Sequence, residues 1–294
     1  MKPDVYLIDA SIYIFKSYYS NQDYTSINGQ SINAVYGFTR FLTQFVHQTK
    51  ATHIACAFDE SLGTSYRNEI YPAYKANRDP APEDLKRQFK LCQQVAQVMG
   101  ITTYCDGYYE ADDIIGTLAH HHHNLGHTNH IVTADKDLAQ LLIGKNDTWW
   151  NYGKAPAFNR QLVYEKFGVY PEQIADFLAL TGDSVDNIPG VAGIGAKSAA
   201  SLISHFKTLD AIIDRHPEVA YLSFRGAKSC QKKIANNIDQ ARLAKQLTHI
   251  VTDMPLGNFD VTRKPLDESR IQNLFDYLQF GPLLRRKILE LKNI

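Results

Sequence analysis

Cysteine is scarce and scattered in this chain: Cys56, Cys92, Cys105 and Cys230 stand alone among 294 residues. No C-x-x-C pair occurs, so neither a zinc site nor a disulfide framework is indicated, and a reducing cytoplasm fits. Long apolar runs are missing as well, and none approaches the ~18 residues that a membrane span needs. The opening residues, MKPDVYLIDAS, reach Asp4 and Asp9 too early for a secretory h-region. Net charge is zero, with 31 Lys and Arg against 31 Asp and Glu, which argues against a uniformly basic coat for nucleic acid. No repeat or low-complexity linker divides the chain. A hydrophobic content of 44% and a charged content of 21% are those of an ordinary globular protein. The length allows a real core, in one large domain or two modest ones.

The zero charge hides an asymmetry. Residues 1–150 hold 12 Lys and Arg against 16 Asp and Glu, whereas the remainder holds 19 against 15. An acidic half suits cations and a basic half suits phosphates.

What is present is carboxylate, in tight groups. Glu110-Ala111-Asp112-Asp113 and Asp135-Lys136-Asp137 each open a helix-like run after a strand-like one. Glu110 and Asp113 are spaced to project from one helical face. Asp135 follows the apolar run Ile131-Val132, at the carboxyl end of a buried strand, where open α/β sheets keep their ligands. Acids this dense repel one another unless protonated, solvated or neutralised, and hard oxygen donors in such numbers suit Mg²⁺ or Mn²⁺. Helix N-terminal capping is the competing reading, since acids are favoured in a first turn. The run Val5-Tyr6-Leu7-Ile8-Asp9 predicts a first strand, with Ser11 capping a helix through about Tyr19. The run His53 to Asp59 repeats that strand pattern. Asp9, Asp59 and Asp135 are therefore expected at equivalent strand tips.

Residues 60–84 change character, with Pro72, Pro80 and Pro82, and with Tyr66, Tyr71 and Tyr74 interleaved among Arg67, Lys75 and Arg78. That mixture suits single-stranded nucleic acid through stacking and phosphate contacts, although tyrosines packed on the core would look alike. A helix is predicted from about Pro82-Glu83, with Gly100 just beyond its end. The run His120 to His123 cannot converge on one ion from a helix and is read as a solvated helix end. Further on, Asp183 and Asp186 form another acidic pair, and Gly190, Gly193 and Gly195 punctuate a tight turn before a small-residue helix at Ala196. Such a hairpin exposes main-chain N–H groups to a phosphate, and Lys197 would add charge. Arg225, Lys228, Lys232 and Lys233 form a basic run that is equally consistent with a solvated helix face.

The stretches YLIDAS, AFDES, YRNEIYPAYKANRDPAPEDL, YYEADDIIGTLA, IVTADKDLAQLL and TGDSVDNIPGVAGIGAKSAASLI, in that order, resemble the 5′-nuclease (flap endonuclease) superfamily. The resemblance is strongest to the bacterial 5′–3′ exonuclease module found at the amino end of DNA polymerase I, and it covers roughly residues 4–255. It implies an α/β fold: a central, mostly parallel sheet flanked by helices (a PIN-like 5′-nuclease domain) over about residues 1–160. A helical arch is implied at about 60–90. A helical region follows over 161–294, with a helix–3-turn–helix DNA-binding module at about 174–206.

By the same resemblance, two divalent cations are implied, Mg²⁺ with Mn²⁺ as second candidate. Asp9, Asp59, Glu110, Asp112 and Asp113 would serve one, and Asp135, Asp137, Asp183 and Asp186 the other. Tyr74, Lys75 and Arg78 match the substrate-gripping trio, with Lys75 catalytic near the scissile phosphate; Arg67 and Lys16 join the DNA contacts. Lys16 stands where relatives usually carry Arg, which removes any bidentate geometry. Gly190, Val191, Gly193, Gly195 and Lys197 match the hairpin that contacts a phosphodiester, with a K⁺ ion as a candidate on its carbonyls.

The implied activity is two-metal hydrolysis of DNA at free 5′ ends, overhangs or flaps, leaving a 5′-phosphate and a 3′-hydroxyl. A free-standing monomer is expected, cytoplasmic and nucleoid-associated when on DNA, working beside replication and repair proteins. The alternatives are a non-catalytic flap-DNA binder and an RNA-directed nuclease. A HAD-like phosphatase is disfavoured because Asp9 is followed by Ala10 and Ser11 rather than by the D-x-D pattern.

Overall fold

The computed structural model describes residues 2–20, 23–60 and 64–294. In chain order its elements begin with β1 (Asp4–Asp9), α1 (Ala10–Tyr18), α2 (Asn33–Thr49) and β2 (His53–Asp59). They continue through α3 (Tyr66–Ile70), α4 (Glu83–Val98), β3 (Thr102–Asp106), α5 (Ala111–Asn124) and β4 (Thr128–Val132). After β5 (Thr148–Trp150) the chain is helical: α6 (Arg160–Phe167), α7 (Ile174–Thr181), α8 (Ala196–Phe206) and α9 (Leu209–Asp214). The last helices are α10 (Ala227–Ala235), α11 (Ile238–Thr248), α12 (Glu268–Tyr277) and α13 (Pro282–Leu289). Two compact units result, one of residues 1–63, 80–134 and 252–294, the other of residues 64–79 and 135–251.

In the first unit β3, β2, β1 and β4 lie side by side, every pair parallel. Parallel strands joined by helical crossovers are covered on both faces, so their sequences are continuously apolar rather than alternating. Val5, Leu7 and Ile8 of β1 and Ile54, Cys56 and Phe58 of β2 are accordingly fully buried. β3, at the edge, is less so. Helix α5 packs against all four strands, while α1, α2 and α4 pack on one another.

Residues 252–294, expected to belong with the helical region 161–294, instead close this first unit. Val261 O accepts from Ile54 N at 2.6 Å, Arg263 N donates to Thr52 O at 2.8 Å, and Lys264 N donates to Gly100 O at 2.8 Å. Gly100, at φ +78°, does follow α4 as its predicted stop. A Cβ there would come within 1.9 Å of Lys264 O, so the returning segment as well as the helix end demands glycine.

The second unit is helical apart from β5. α11 packs on α7, α8 on α7 and α9, and α10 on the 3₁₀ turn His216–Tyr221. Residues 64–79 belong here through Arg67, which is 2% exposed and donates to Leu247 O at 3.0 Å and His249 O at 3.1 Å. The short helix α3 and the turns after it are more structured than the aperiodic stretch 60–84 suggested; its residues 61–63 lie outside the described ones.

Two local expectations change. Helix α1 starts at Ala10 with Asp9 in the N-cap place, and Ser11 lies inside it, its Oγ accepting from Asp59 N at 3.3 Å. The histidine run is not uniformly solvated: His122 is 5% exposed, with Nδ1 3.2 Å from His127 Nδ1, and His121 stacks on Phe259. A helix turns successive residues through different directions, so one of the four neighbours, His122, faces inward.

Candidate active site

Acids close three neighbouring strands in the first unit. Asp9 ends β1, Asp59 ends β2, and Asp106 ends β3 in register with Asp59. Asp106 was not picked from the sequence; its Oδ1 accepts from Tyr108 N and Tyr109 N, turning the chain toward α5. On β4, whose Val132 pairs with Ile8, the position after the strand is Thr133 and not an acid. Thr133 Oγ1 donates to Asp9 Oδ2 at 2.9 Å, and Asp135 lies three residues beyond the strand. The equivalence expected of Asp135 with Asp9 and Asp59 is therefore displaced by the length of Thr133-Ala134.

Around the start of α5, capping and the candidate ligand set coincide. Glu110 is the N-cap residue, and its N–H donates to Asp113 Oδ2 at 3.2 Å. Asp59 Oδ1 accepts from Ala111 N at 2.9 Å. Asp9 and Asp113 are buried, Asp59, Glu110 and Asp112 half-buried. The helix N-terminus is itself favourable to negative charge. Lys16 is exposed in the last turn of α1.

In the second unit, Asp135, Asp137, Asp183 and Asp186 gather around chain cations. Asp135 Oδ1 accepts from Asp137 N at 2.9 Å. Lys136 Nζ lies 3.3 Å from Asp137 Oδ1 and bonds directly to Asp183 Oδ2. Asp183 Oδ1 accepts from Val185 N, and its backbone pairs with Ile188, so the loop carrying Asp186 is pinned at both ends. Asp186 is contacted by the whole trio. Arg78 bonds its Oδ1, Tyr74 Oη lies 3.3 Å and Lys75 Nζ 3.9 Å from its Oδ2, and Lys75 N donates to its carbonyl at 2.9 Å. Lys75 takes φ +54°, a left-handed conformation that costs a β-carbon residue some free energy and that this bond helps to hold.

The electrostatics are those of a site short of positive charge. Burial, opposed by the Asp137 N–H and reinforced by Asp186, raises the Asp135 carboxyl above its usual range. Burial and then the Asp135 charge push Asp137 up to about 7. Lys136 is held above the ordinary lysine value because Asp137 and Asp183 outweigh its burial. Asp137 Oδ1 is buried with no hydrogen bond, only the ion pair to Lys136 at 3.3 Å, and the all-carboxylate donor set fits a hard divalent cation. Among the described residues, no three His, Cys, Asp or Glu side chains are already drawn together as a closed cage. Lys136 was not predicted to act here, although it stands between two of the acids in the sequence.

The predicted phosphate hairpin joins α7 to α8. A Cβ on Gly190 would come 2.2 Å from Gly182 N, so two backbones cross there, and Val191 N donates to Leu180 O at 2.9 Å. Val191 and Ile194 are buried plugs, Gly193 takes φ +76°, and Gly195, at the N-cap of α8, opens on free space. Lys197 is exposed in the first turn. Thus Gly190 and Val191 shape the hairpin, and Gly193, Gly195 and Lys197 present its surface. Arg67 and Tyr74 are buried, unlike the exposed contacts expected of them.

Residues 4–168 match the family model described as 5'-3' exonuclease, N-terminal resolvase-like domain, and residues 169–269 match that described as 5'-3' exonuclease, C-terminal SAM fold. DNA polymerase I of Mycobacterium leprae is 35% identical over 298 residues, covering 98% of this chain and 32% of the relative. The thermostable DNA polymerase I of Thermus aquaticus is 33% identical over 285 residues, covering 96% and 33%. The chain thus spans about a third of the length of these curated relatives. Among solved structures, T5 5'-exonuclease with divalent metal ions (zinc) bound aligns with a TM-score of 0.68 at 19% identity, over 98% of this chain and 99% of that one. The catalytic core of Rad2 in complex with DNA substrate aligns at 0.64 and 16% identity, over 98% and 92%. These two likenesses support the fold.

Proposed function

The chain belongs to the 5′–3′ exonuclease family, and from that premise we propose that it is a metal-dependent 5′ nuclease hydrolysing DNA at flaps, overhangs or free 5′ ends. The observation that carries the proposal is the acidic group of buried Asp137 and Asp183 with half-buried Asp135 and Asp186, which Lys136 neutralises only in part. In this reading residues 1–160 supply the nuclease part, with the arch at about 60–90. The helical residues after 160, apart from residues 252–294 that close the first unit, hold duplex DNA through the module at about 174–206.

Asp9, Asp59, Glu110, Asp112 and Asp113 would hold one divalent cation, and the second acidic group another, with Mg²⁺ as the expected ion and Mn²⁺ as its substitute. Such ions supply a water of lowered pKa and Lewis acidity toward phosphoryl and leaving oxygens. The chain's own residues do the rest. Thr133 fixes one oxygen of Asp9 and so the direction of the other. Lys75 and Arg78 place positive charge for the phosphoryl oxygens, and Tyr74 packs against Lys75, whose Nζ stands 4.9 Å from the ring centre. Arg67 acts as the anchor of this segment rather than as a phosphate contact. Gly193, Gly195 and Lys197 receive a duplex phosphate at the start of α8, and Lys16 offers a further one. The products are a 5′-phosphate and a 3′-hydroxyl.

No helix among the described residues is long and apolar enough to cross a membrane. A monomer in the cytoplasm, nucleoid-associated on DNA and acting with replication and repair proteins, completes the proposal. Purified protein with a 5′-flap duplex labelled at its 3′ end tests it: cuts should need Mg²⁺ or Mn²⁺ and vanish in EDTA. Metal-independent binding without cleavage would favour the non-catalytic flap binder. Equal cleavage of RNA and DNA flaps would favour the RNA-directed nuclease.

A further inference from the structure

A monovalent cation on the carbonyls of residues 190–195 is the family's expectation for the hairpin, and the residues present here do not fit it. Lys233, in the last turn of α10, donates through Nζ to Gly193 O at 2.8 Å. Gln240 of α11 donates to Pro189 O at 3.1 Å, and Val191 O accepts from Ile194 N at 2.9 Å. The hairpin oxygens at 189, 191 and 193 therefore each carry a donor from the chain. A second cation on Gly193 O would sit against an ammonium already bonded there, and like charges at that range repel.

Lys233 occupies the space that a side chain on residue 193 would enter. Gly193 takes φ +76°, and a Cβ on it would fall 2.6 Å from Lys233 Nζ. Any other residue would meet both a strained backbone and the ammonium. An ammonium has three donors, and the bond to Gly193 O uses one of them. The others remain available to a phosphate oxygen arriving at the exposed surface of Gly193 and Gly195. The basic run on α10, read from sequence as a possible solvated face, so acquires one member with a specific seat.

We propose that Lys233 is the cation of this hairpin: its ammonium takes the place of a K⁺ ion, neutralising Gly193 O and meeting the duplex phosphate, so that DNA binding is independent of monovalent metal ions. The inference rests on the reading of residues 174–206 as a duplex-holding module. Its test is binding, not cleavage. The full chain is titrated onto a fluorescent duplex with a 5′ overhang, by anisotropy in EDTA, in KCl and in tetramethylammonium chloride at equal ionic strength.

Wild type should bind with the same affinity, within about twofold, in either salt. Lys233→Met should lose about tenfold in tetramethylammonium, the size of one charge-assisted hydrogen bond, and regain most of it in KCl. Lys233→Arg should behave as wild type. Wild-type binding that weakens severalfold without K⁺ would overturn the proposal whether or not any variant folds. So would a folded Lys233→Met that binds as wild type without K⁺. Failure of wild type to bind in both salts would overturn the DNA-binding reading itself, and this inference with it.

Discussion

The guanidinium of Arg78 lies on the carboxylate of Asp186, so a residue assigned to grip substrate is held by a residue assigned to bind metal. Tyr74 and Lys75 approach the same carboxylate. A divalent cation claiming Asp186 competes with all three. Trypsin cleavage after Lys75 and Arg78 should therefore quicken several-fold when Mg²⁺ or Ca²⁺ is added, and Asp186→Asn should cleave quickly without metal. Equal rates under all conditions would show that the contact does not hold the segment.

Asp137 gives the metal-free protein a definite pH dependence. Its folded pKa, about 7, lies above the ordinary carboxyl value of 3.8, so the native state binds this proton more tightly than the unfolded state. The contribution is full below about pH 4 and is lost as pH rises through about 7. Stability in EDTA should decline over that window, and stabilisation by Mg²⁺ should grow over it as the proton leaves. Asp137→Asn should flatten both trends in thermal melts. Lys136→Met should cost the metal-free protein roughly 1–3 kcal/mol, because it removes the charge lying on Asp137 and Asp183.

His122 works in the opposite direction. Burial, then the neighbouring charges of His121 and His127, push its pKa down to about 4 from an ordinary 6.5. The native state resists protonation, so its contribution is full above about 6.5 and is lost as pH falls toward 4. His122→Asn should flatten the acid side of a stability–pH curve measured by thermal melts.

The hairpin glycines divide by what surrounds them. Gly190→Ala forces a Cβ to 2.2 Å from Gly182 N. It should destabilise by more than about 3 kcal/mol or prevent folding. Gly195→Ala meets open space and should stay within about 0.5 kcal/mol of wild type in chemical denaturation. An equal cost at both sites would refute the backbone crossing.

These contrasts mark what the sequence could and could not carry. The apolar runs ending in Asp9 and Asp59 are legible because parallel strands buried on both faces leave no alternation to misread. Arg67 and Tyr74 looked like exposed contacts because their partners, Leu247, His249 and Asp186, lie more than a hundred residues away. Residues 252–294 join the first unit through main-chain bonds to Thr52, Ile54 and Gly100, which leave no side-chain pattern. Lys136 and Lys233 were hidden in different ways. One stands between two acids of a cluster whose far partner, Asp183, is remote in sequence, and the other in a basic run whose target, Gly193, is forty residues back.

Single-turnover cleavage of a 3′-labelled 5′-flap DNA in Mg²⁺, wild type against Asp135→Asn, tests most directly whether these carboxylates perform metal-assisted hydrolysis. The variant should bind the flap yet cleave it at least about a hundredfold more slowly, a loss of transition-state stabilisation alone. Cleavage by Asp135→Asn at the wild-type rate would contradict the assignment.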